Sequence, residues 1–427
     1  MTLNYIWISF FFTAMIVALG RFIGYMLGAH TDLLPGFNFT LADRDVFVAI
    51  VDSTFEMAKT SVNIAIYLIG VMALWLGIMR VGEKGGAVSA LTRLVRPFFR
   101  RIFPDLPDNH PAFGSMMMNI SANMLGLDNA ATPLGIKAMK ELQEANPDKA
   151  TASNSQIMFI ALNTSGLTLI PVSIMAVRAA MGAANPSDIF LPIMLTTFFS
   201  TMAALVIVSL VQRINLFQPV VMAYLGGLSL VIGSVLWLLS NMAAGRMSAL
   251  STFSGNFILF LFIVTFLFLA WRKKVNVYQE FIEGSKEGFH VAVGIIPYLV
   301  AMLVGIGVFR ASGALDIIVS GVGSVLGWFG LGGDYVGALP TAFMKPLSGS
   351  GSRAMMIEAF NHFGVDSFVG RLAATFQGST ETTFYTIAVY YGAIGVRNTR
   401  YTVTVGLLSE LAAIIAGVFI AKIFFPV

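Results

Sequence analysis

"NISANMLGLDNAATPLG" (Asn119–Gly135) puts three Asn, one Asp, one Ser and one Thr between two long apolar segments. Gly126 and Pro133 interrupt the helical pattern within it. Lipid offers no partner to free amides and carbonyls, so irregular backbone at membrane depth is tolerated only where protein buries it or where it lines a wet cavity. The stretch therefore predicts a hairpin tip facing such a cavity, with Gly126 at the turn and Pro133 starting the returning arm. Asn119, Asn123, Asn129 and Thr132 then supply donors and acceptors, and Asp128 a charge. A loop that never enters the membrane is the competing reading, and the apolar flanks "SMMMNI" and "NMLGL" count against it.

Composition fixes the environment around this stretch. The chain has 427 residues, of which 57% are hydrophobic and 11% charged, with a mean hydropathy of +0.81. A soluble chain carries about a quarter charged residues. Apolar windows long enough for a bilayer recur near residues 4–27, 61–80, 153–181, 189–212, 218–240, 251–271, 288–309, 366–391 and 401–425. The expected class is all-α, a polytopic membrane protein with about nine transmembrane helices and two re-entrant hairpins, near 111–136 and 333–352. A closed barrel would show short alternating strands instead. The formal charge of +4 gives no support to nucleic-acid binding. Without cysteine there are no disulfides or thiolate metal sites. The first segment lacks a basic lead and a small-residue cleavage site, and reads as a retained helix.

Three basic clusters set the orientation: Arg80–Arg101, Trp271–Lys274 and Arg397–Arg400. With all three cytoplasmic, the N-terminus lies inside and the C-terminus outside. "VSALTRLVRPFFRRIF" spaces its arginines along one helical face, as a helix lying on the inner membrane surface would; an ordinary loop helix is the alternative.

The two halves resemble each other in three places, in the same order. "VDSTFEMAK" (Val51–Lys59) matches "IEGSKEGFH" (Ile282–His290), "PLGIKAM" (Pro133–Met139) matches "GSGSRAM" (Gly349–Met355), and "LNTSGLTLI" (Leu162–Ile170) matches "FQGSTETTF" (Phe376–Phe384). An odd number of crossings between the units turns the second upside down. Inverted repeats with interrupted segments at matching positions point to a secondary transporter with its site at the bilayer midplane. The expected division is residues 1–213, a linking helix over 214–250, and residues 251–427.

In the second half, "KPLSGSGSRAMM" (Lys345–Met356) offers Ser348, Ser350, Ser352 and Arg353, and its alternating Ser and Gly could form an anion-binding nest. A plain flexible hairpin tip explains the same run. The polar breaks bring Asn163, Thr164 and Ser165 in one unit and Gln377, Ser379, Thr380, Glu381 and Thr382 in the other. An ionisable residue inside a span marks an ion or substrate path, so Glu381 and Asp128 are the candidates for ion coupling. Pairing with Lys345, Arg353 or Arg371 simply to neutralise charge is the bland alternative. The four histidines show no metal spacing, a dyad of Ser350 or Ser379 with His290 lacks a nucleophile elbow, and no phosphate loop appears.

"NISANMLGLDNAATPLGIKAM" resembles the signature of the spore maturation protein A family, and "PLSGSGSRAMM" with "QGSTETTFYTIAVYYGAIGVRNTRY" resembles that of the B family. The likeness covers nearly the whole chain, with the join near residues 213–250, as a fusion of the two would. Both families fall in the nucleoside-recognition, or Gate, domain group, together with the membrane segments of the ferrous iron transporter B and, more loosely, concentrative nucleoside transporters. The resemblance implies a multi-pass protein of the bacterial inner (plasma) membrane with transporter-like hairpins. "GSTETT" (Gly378–Thr383) is only loosely similar to the nucleoside carriers' GQTEAP-type motif, and the membrane Cys of many iron Gates is missing.

The reading is a secondary transporter, or carrier-like translocator, of a small polar solute such as a nucleoside or amino acid, driven by a Na⁺ or proton gradient. Its partners are a small-molecule substrate and the lipid bilayer, and a homo-oligomer is compatible; nucleic acid, catalytic residues, cofactors and metals are not expected. The alternatives are a non-transporting envelope scaffold or assembly factor, and a channel.

Overall fold

The computed structural model describes residues 2–30, 40–107, 109–125, 128–240, 244–328 and 333–426. The first half runs α1 (Thr2–His30), α2 (Leu41–Arg44), α3 (Val46–Gly85), α4 (Ala87–Ile102), α5 (Ala112–Met124), α6 (Asp128–Ala145), α7 (Asn154–Thr164), α8 (Val172–Ala180) and α9 (Phe190–Gln212). Next come α10 (Pro219–Ser240) and α11 (Ala244–Arg272). The second half runs α12 (Val277–Gly294), α13 (Ile296–Ala311), α14 (Ala314–Trp328), a 3-10 turn (Asp334–Ala338), α15 (Leu339–Met344), α16 (Gly349–Phe363), α17 (Phe368–Ser379), α18 (Thr383–Gly392) and α19 (Thr402–Phe424). Among the described residues there is no strand, only an isolated bridge between Thr151 and Asn398.

This is an all-α, multi-pass membrane protein. Among the described residues, six stretches are long and apolar enough to cross a bilayer: Tyr5–Leu27, Val46–Gly85, Phe190–Gln212, Gly255–Arg272, Val277–Ala311 and Thr402–Phe424. The other three segments expected to cross are occupied by α10, whose apolar stretch Pro219–Ser234 is shorter, and by the broken pairs α7–α8 and α17–α18, which are not among those six. The span expected over 61–80 is the second half of a 40-residue helix. Asp52, Glu56 and Lys59 make its first turns look like a separate amphipathic piece, yet no Gly or Pro stops the helix until Gly85 and Gly86.

Element for element, α3 through α9 correspond to α12 through α19. A 40-residue helix answers the 35-residue α12–α13 pair. A short helix follows in each, then a helix–turn–helix, a broken pair and a closing 23-residue helix. Two of the matched sets, α3 with α12–α13 and α9 with α19, lie against each other and run antiparallel. Along α3 and α12–α13, Arg80 bonds Glu280, Ser285 bonds the Ala73 carbonyl and Gly307 sits on Met57. Along α9 and α19, Ser200 Oγ donates to the Ser409 carbonyl while Thr196 lies beside Gly417. Rising numbers on one helix meet falling numbers on its partner, which is how equivalent helices of inverted units must meet.

The ends of the bundle agree with this. At one end the three basic clusters gather: Gly85 packs on the Ala270 backbone, and Asn154 joins Asp105 to Arg400 through bonds of 3.2 and 2.9 Å. At the other, Arg178 pairs with Asp188 and Asp366, both at 2.9 Å, and Arg371 with Asp188 at 2.8 Å. In both places a loop of one unit is bonded to a loop of the other.

Candidate functional site

The two broken pairs meet at their breaks. α7 ends where Gly166 takes a left-handed φ of 64°, and a Cβ there would lie 2.7 Å from Thr380 Cα. The amide of Glu381 donates to the Thr164 carbonyl at 3.0 Å. Gly166 and Thr380 are equivalent positions of the two repeats, so equivalent residues touch, as they do beside a two-fold axis. The break also frees backbone groups, and this cross-bond satisfies two of them.

Around this crossing lies a cavity of about 190 Å³. Its polar walls are Asn123, Thr168, Ser173, Lys345, Arg353, Gln377, Thr380, Glu381 and Thr382, and Met72, Leu76 and Val291 of the long antiparallel helices close it with apolar surface. Thr168 and Thr382 are repeat equivalents facing it together. The first turn of α16 also faces it, through Gly349 and Arg353, so the positive end of that helix dipole and a guanidinium act in the same direction.

Of the residues expected from sequence, the cavity thus gathers Asn123, Arg353, Gln377, Thr380, Glu381 and Thr382. The others hold the frame. Asn119, fully buried, donates to the Ala131 carbonyl at 2.7 Å and to Tyr390 Oη at 3.2 Å, tying the first hairpin to α18. Asn163 accepts from Asn123 Nδ2 at 2.9 Å and donates to the Phe159 carbonyl. Its repeat partner Gln377 does the same for the second hairpin, donating to the Gly349 carbonyl at 3.2 Å. The hydroxyls of Thr164, Ser165 and Ser379 return to carbonyls of their own helices. Thr132 is half-buried on α6 away from the cavity wall. For Asp128 and Asn129 only the helical backbone is described, and Gly126 lies outside the described residues.

Two local expectations need correction. The run Ser348–Ser352 does not form an open nest. Ser348 Oγ accepts from the Gly351 amide at 3.0 Å and caps α16, which makes the run the first turn of a helix. Ser350 Oγ lies 3.2 Å from Ser348 Oγ, and Ser352 donates to the Thr341 carbonyl at 2.7 Å. Pro133, expected to start the returning arm, lies inside α6, which begins at Asp128.

Two residues of the site, Lys345 and Glu410, were not among those expected to line it, and Arg371 lies elsewhere. Lys345 reaches in from the end of α15, donating to the Gln377 carbonyl at 2.8 Å; only its charge was noted in the sequence. Arg371, named as a neutraliser for Glu381, is bound to Asp188 instead. Glu410 on α19, nearly buried at 4% exposure, accepts from Thr383 Oγ1 at 2.7 Å. A single ionisable residue in an otherwise apolar stretch was its available signal. Among the described residues no cluster of His, Asp and Glu could hold a metal, and neither Ser350 nor Ser379 bonds a histidine.

The arrangement can bind a small solute with a negative end toward Arg353, Lys345 and the α16 N-terminus, and a hydroxyl-bearing or positive end toward Glu381 and the two threonines. The nucleoside recognition family, Gate, matches residues 65–181 and 292–397, one segment in each half. Spore maturation protein A of Bacillus subtilis is 43% identical over 156 residues, covering 36% of this chain and 80% of that protein. Spore maturation protein B of the same organism is also 43% identical, over 153 residues, covering 36% of this chain and 84% of that protein. No solved structure matches the chain. With both halves matched, and with the crossing of two broken helices built from the matched segments, the chain belongs to the Gate, or nucleoside recognition, family.

Proposed function

We propose that the chain is a secondary carrier of a small polar solute bearing an anionic group, cycling between inward- and outward-open states by rocking its inverted units against each other, and driven by an ion gradient. The observation that carries this reading is the polar cavity at the crossing of two equivalent helix breaks, which is where carriers built from inverted repeats bind. The hairpins α5–α6 and α15–α16 would enter the membrane without crossing it. α5, with 13 residues, reaches about 20 Å at 1.5 Å per residue, short of a bilayer core of about 30 Å. Residues 1–213 and 251–427 would be the moving units, with α10 in the link between them and α11 starting about two turns before the second boundary.

A cavity of about 190 Å³ is smaller than the roughly 300–1,000 Å³ of pockets for drug-sized ligands. That favours an amino-acid-sized solute over a nucleoside. Arg353 then carries much of the affinity. Arg353→Gln, read by isothermal titration or thermal stabilisation, is expected to weaken binding 10- to 100-fold, the loss of one charge-assisted bond of about 1.5–3 kcal/mol. Undiminished affinity in that variant rules out the anionic end of the solute at this wall.

The reading as a whole is tested with purified protein in liposomes. Saturable solute flux that depends on a proton or Na⁺ gradient supports the carrier. Flux that does not saturate makes the chain a channel. No flux and no stabilisation by any small metabolite makes it an envelope scaffold, with the polar breaks serving only to lock helices together.

A further inference from the structure

Lys345 stands in the wall between two chambers. On one side is the 190 Å³ cavity, and on the other a void of about 10 Å³ lined by Lys345, Ser379, Thr380 and Glu410 with apolar Ala342, Phe376, Ala413 and Ile414. Such a void has room for about one water molecule. Glu410 faces it from the middle of an apolar 23-residue span. One of its carboxyl oxygens accepts from Thr383, and the other, Oε2, is buried with no hydrogen-bond partner among the described residues.

We propose that Glu410 is the proton-carrying group of this carrier, and that Lys345 links its protonation to occupancy of the neighbouring cavity by an anion. A carboxyl group inside a span is costly unless a nearby cation or a bound proton neutralises it. Lys345 is the charged side chain that shares the void with Glu410. The other elements around it bring no rival. α7 and α9 contain no Asp, Glu, His, Lys or Arg. α17 contributes Arg371, near its far end and bound to Asp188. α18 contributes only the phenols of Tyr385, Tyr390 and Tyr391, and α11 has Arg246 and Arg272 near its two ends.

An anion entering between Arg353 and the α16 N-terminus attracts the Lys345 ammonium toward the cavity. Glu410 then loses its neutralising charge and takes a proton onto Oε2. When the anion leaves, Lys345 returns and the proton is released. A second cation such as Na⁺ is disfavoured in the void, because the ammonium repels it and the space cannot hold a set of oxygen ligands. Glu381 is exposed at the cavity, so water already solvates its charge and occupancy changes it less.

The transport role rests on the carrier reading, but the protonation itself can be read without it. Infrared difference spectra of the full chain in liposomes, taken between about pH 9 and about pH 5, should show the carbonyl stretch of a protonated carboxylic acid. The band is expected to vanish in Glu410→Gln, to shift in frequency in Glu410→Asp and to remain in Glu381→Gln. In Lys345→Met it should persist to higher pH, since the neutral form no longer competes with a cation pair. A band that survives Glu410→Gln, or that titrates identically in Lys345→Met, overturns the proposal.

The link to anions is read with inorganic sulfate, whose charge is constant over this range. Sulfate should bind about tenfold tighter for each unit fall in pH in the native chain, and independently of pH in Glu410→Gln. No sulfate binding, or pH-independent binding to the native chain, overturns the link. If the infrared and sulfate results hold while gradient-driven flux is absent, the carrier reading fails and the protonation site stands. If flux is proton-driven but the band is indifferent to Glu410, the assignment fails and the carrier stands.

Discussion

Gly288→Leu is expected to abolish the folded, monodisperse protein. α12 carries Gly284 and Gly288 four residues apart, and α3 answers with Ala73 and Gly77 at the same spacing. A Cβ at Gly288 would lie 2.5 Å from the Met72 carbonyl oxygen and 2.7 Å from Ala73 Cα, and one at Gly284 would lie 2.5 Å from the Leu76 carbonyl. The neighbours are backbone and cannot rotate away, so the helices themselves would have to part. Between membrane helices close backbone approach is the main source of association, because lipid tails are as apolar as the side chains they replace. A leucine in this seam should therefore cost roughly 3 kcal/mol or more, seen as aggregation on size exclusion in detergent and a large fall in thermal midpoint. Gly70→Leu, on the same α3 but with nothing within 4 Å of its Cβ, is the control and should behave as the native chain does. If both variants melt alike, the seam does not hold the inverted units together.

The repeat that brings α3 and α12 together was legible because its signals are local and chemical. Polar and glycine residues interrupt apolar spans at Leu162–Ile170 and Phe376–Phe384, and the structure sets those two breaks against each other. Which polar groups would face the cavity was much less legible. Ser165 and Ser379 carry the same side chain as the cap Ser348, yet each bonds a carbonyl three residues back in its own chain. A hydroxyl on a helix can always satisfy itself this way, so its presence in a polar break says little about ligands. Longer groups such as Asn123, Gln377 and Arg353 reach beyond their own turn, and the cavity finds them. Lys345 caps α15 and Glu410 lies on α19, with three helices between them in the chain, and only the fold puts them beside one void. The serine–glycine run of α16 is ambiguous in the sequence for a related reason: Gly and Ser weaken a helix interior but suit its first turn, and one capping serine decides which applies.

The largest electrostatic effect is expected at the other end of the bundle, from Arg178→Met. Arg178 is fully buried. It donates to Asp188 and Asp366, each at 2.9 Å, and to the Val365 carbonyl at 2.8 Å. Asp366 in turn accepts from the Ala184 amide at 2.9 Å, and Arg371 reaches Asp188 at 2.8 Å. One guanidinium thus fastens the loop before α9 to the loop before α17, where the two units meet. Methionine keeps much of the volume but leaves Asp188 with Arg371 alone and Asp366, among the described residues, with no guanidinium. Breaking a buried pair from one side costs about 3–5 kcal/mol, because the abandoned charge stays desolvated. The thermal midpoint should fall accordingly, and adding Asp366→Asn should restore part of the loss by removing the stranded charge. The double variant also separates two roles for the cluster. If it is only a clamp, recovering stability recovers gradient-driven flux as well. If the loops must slide past each other when the units rock, the repaired variant will melt near the native temperature and still transport at an altered rate. No fall in midpoint on Arg178→Met would mean that the inverted units are held by their helix seams alone and that these loops are free to move.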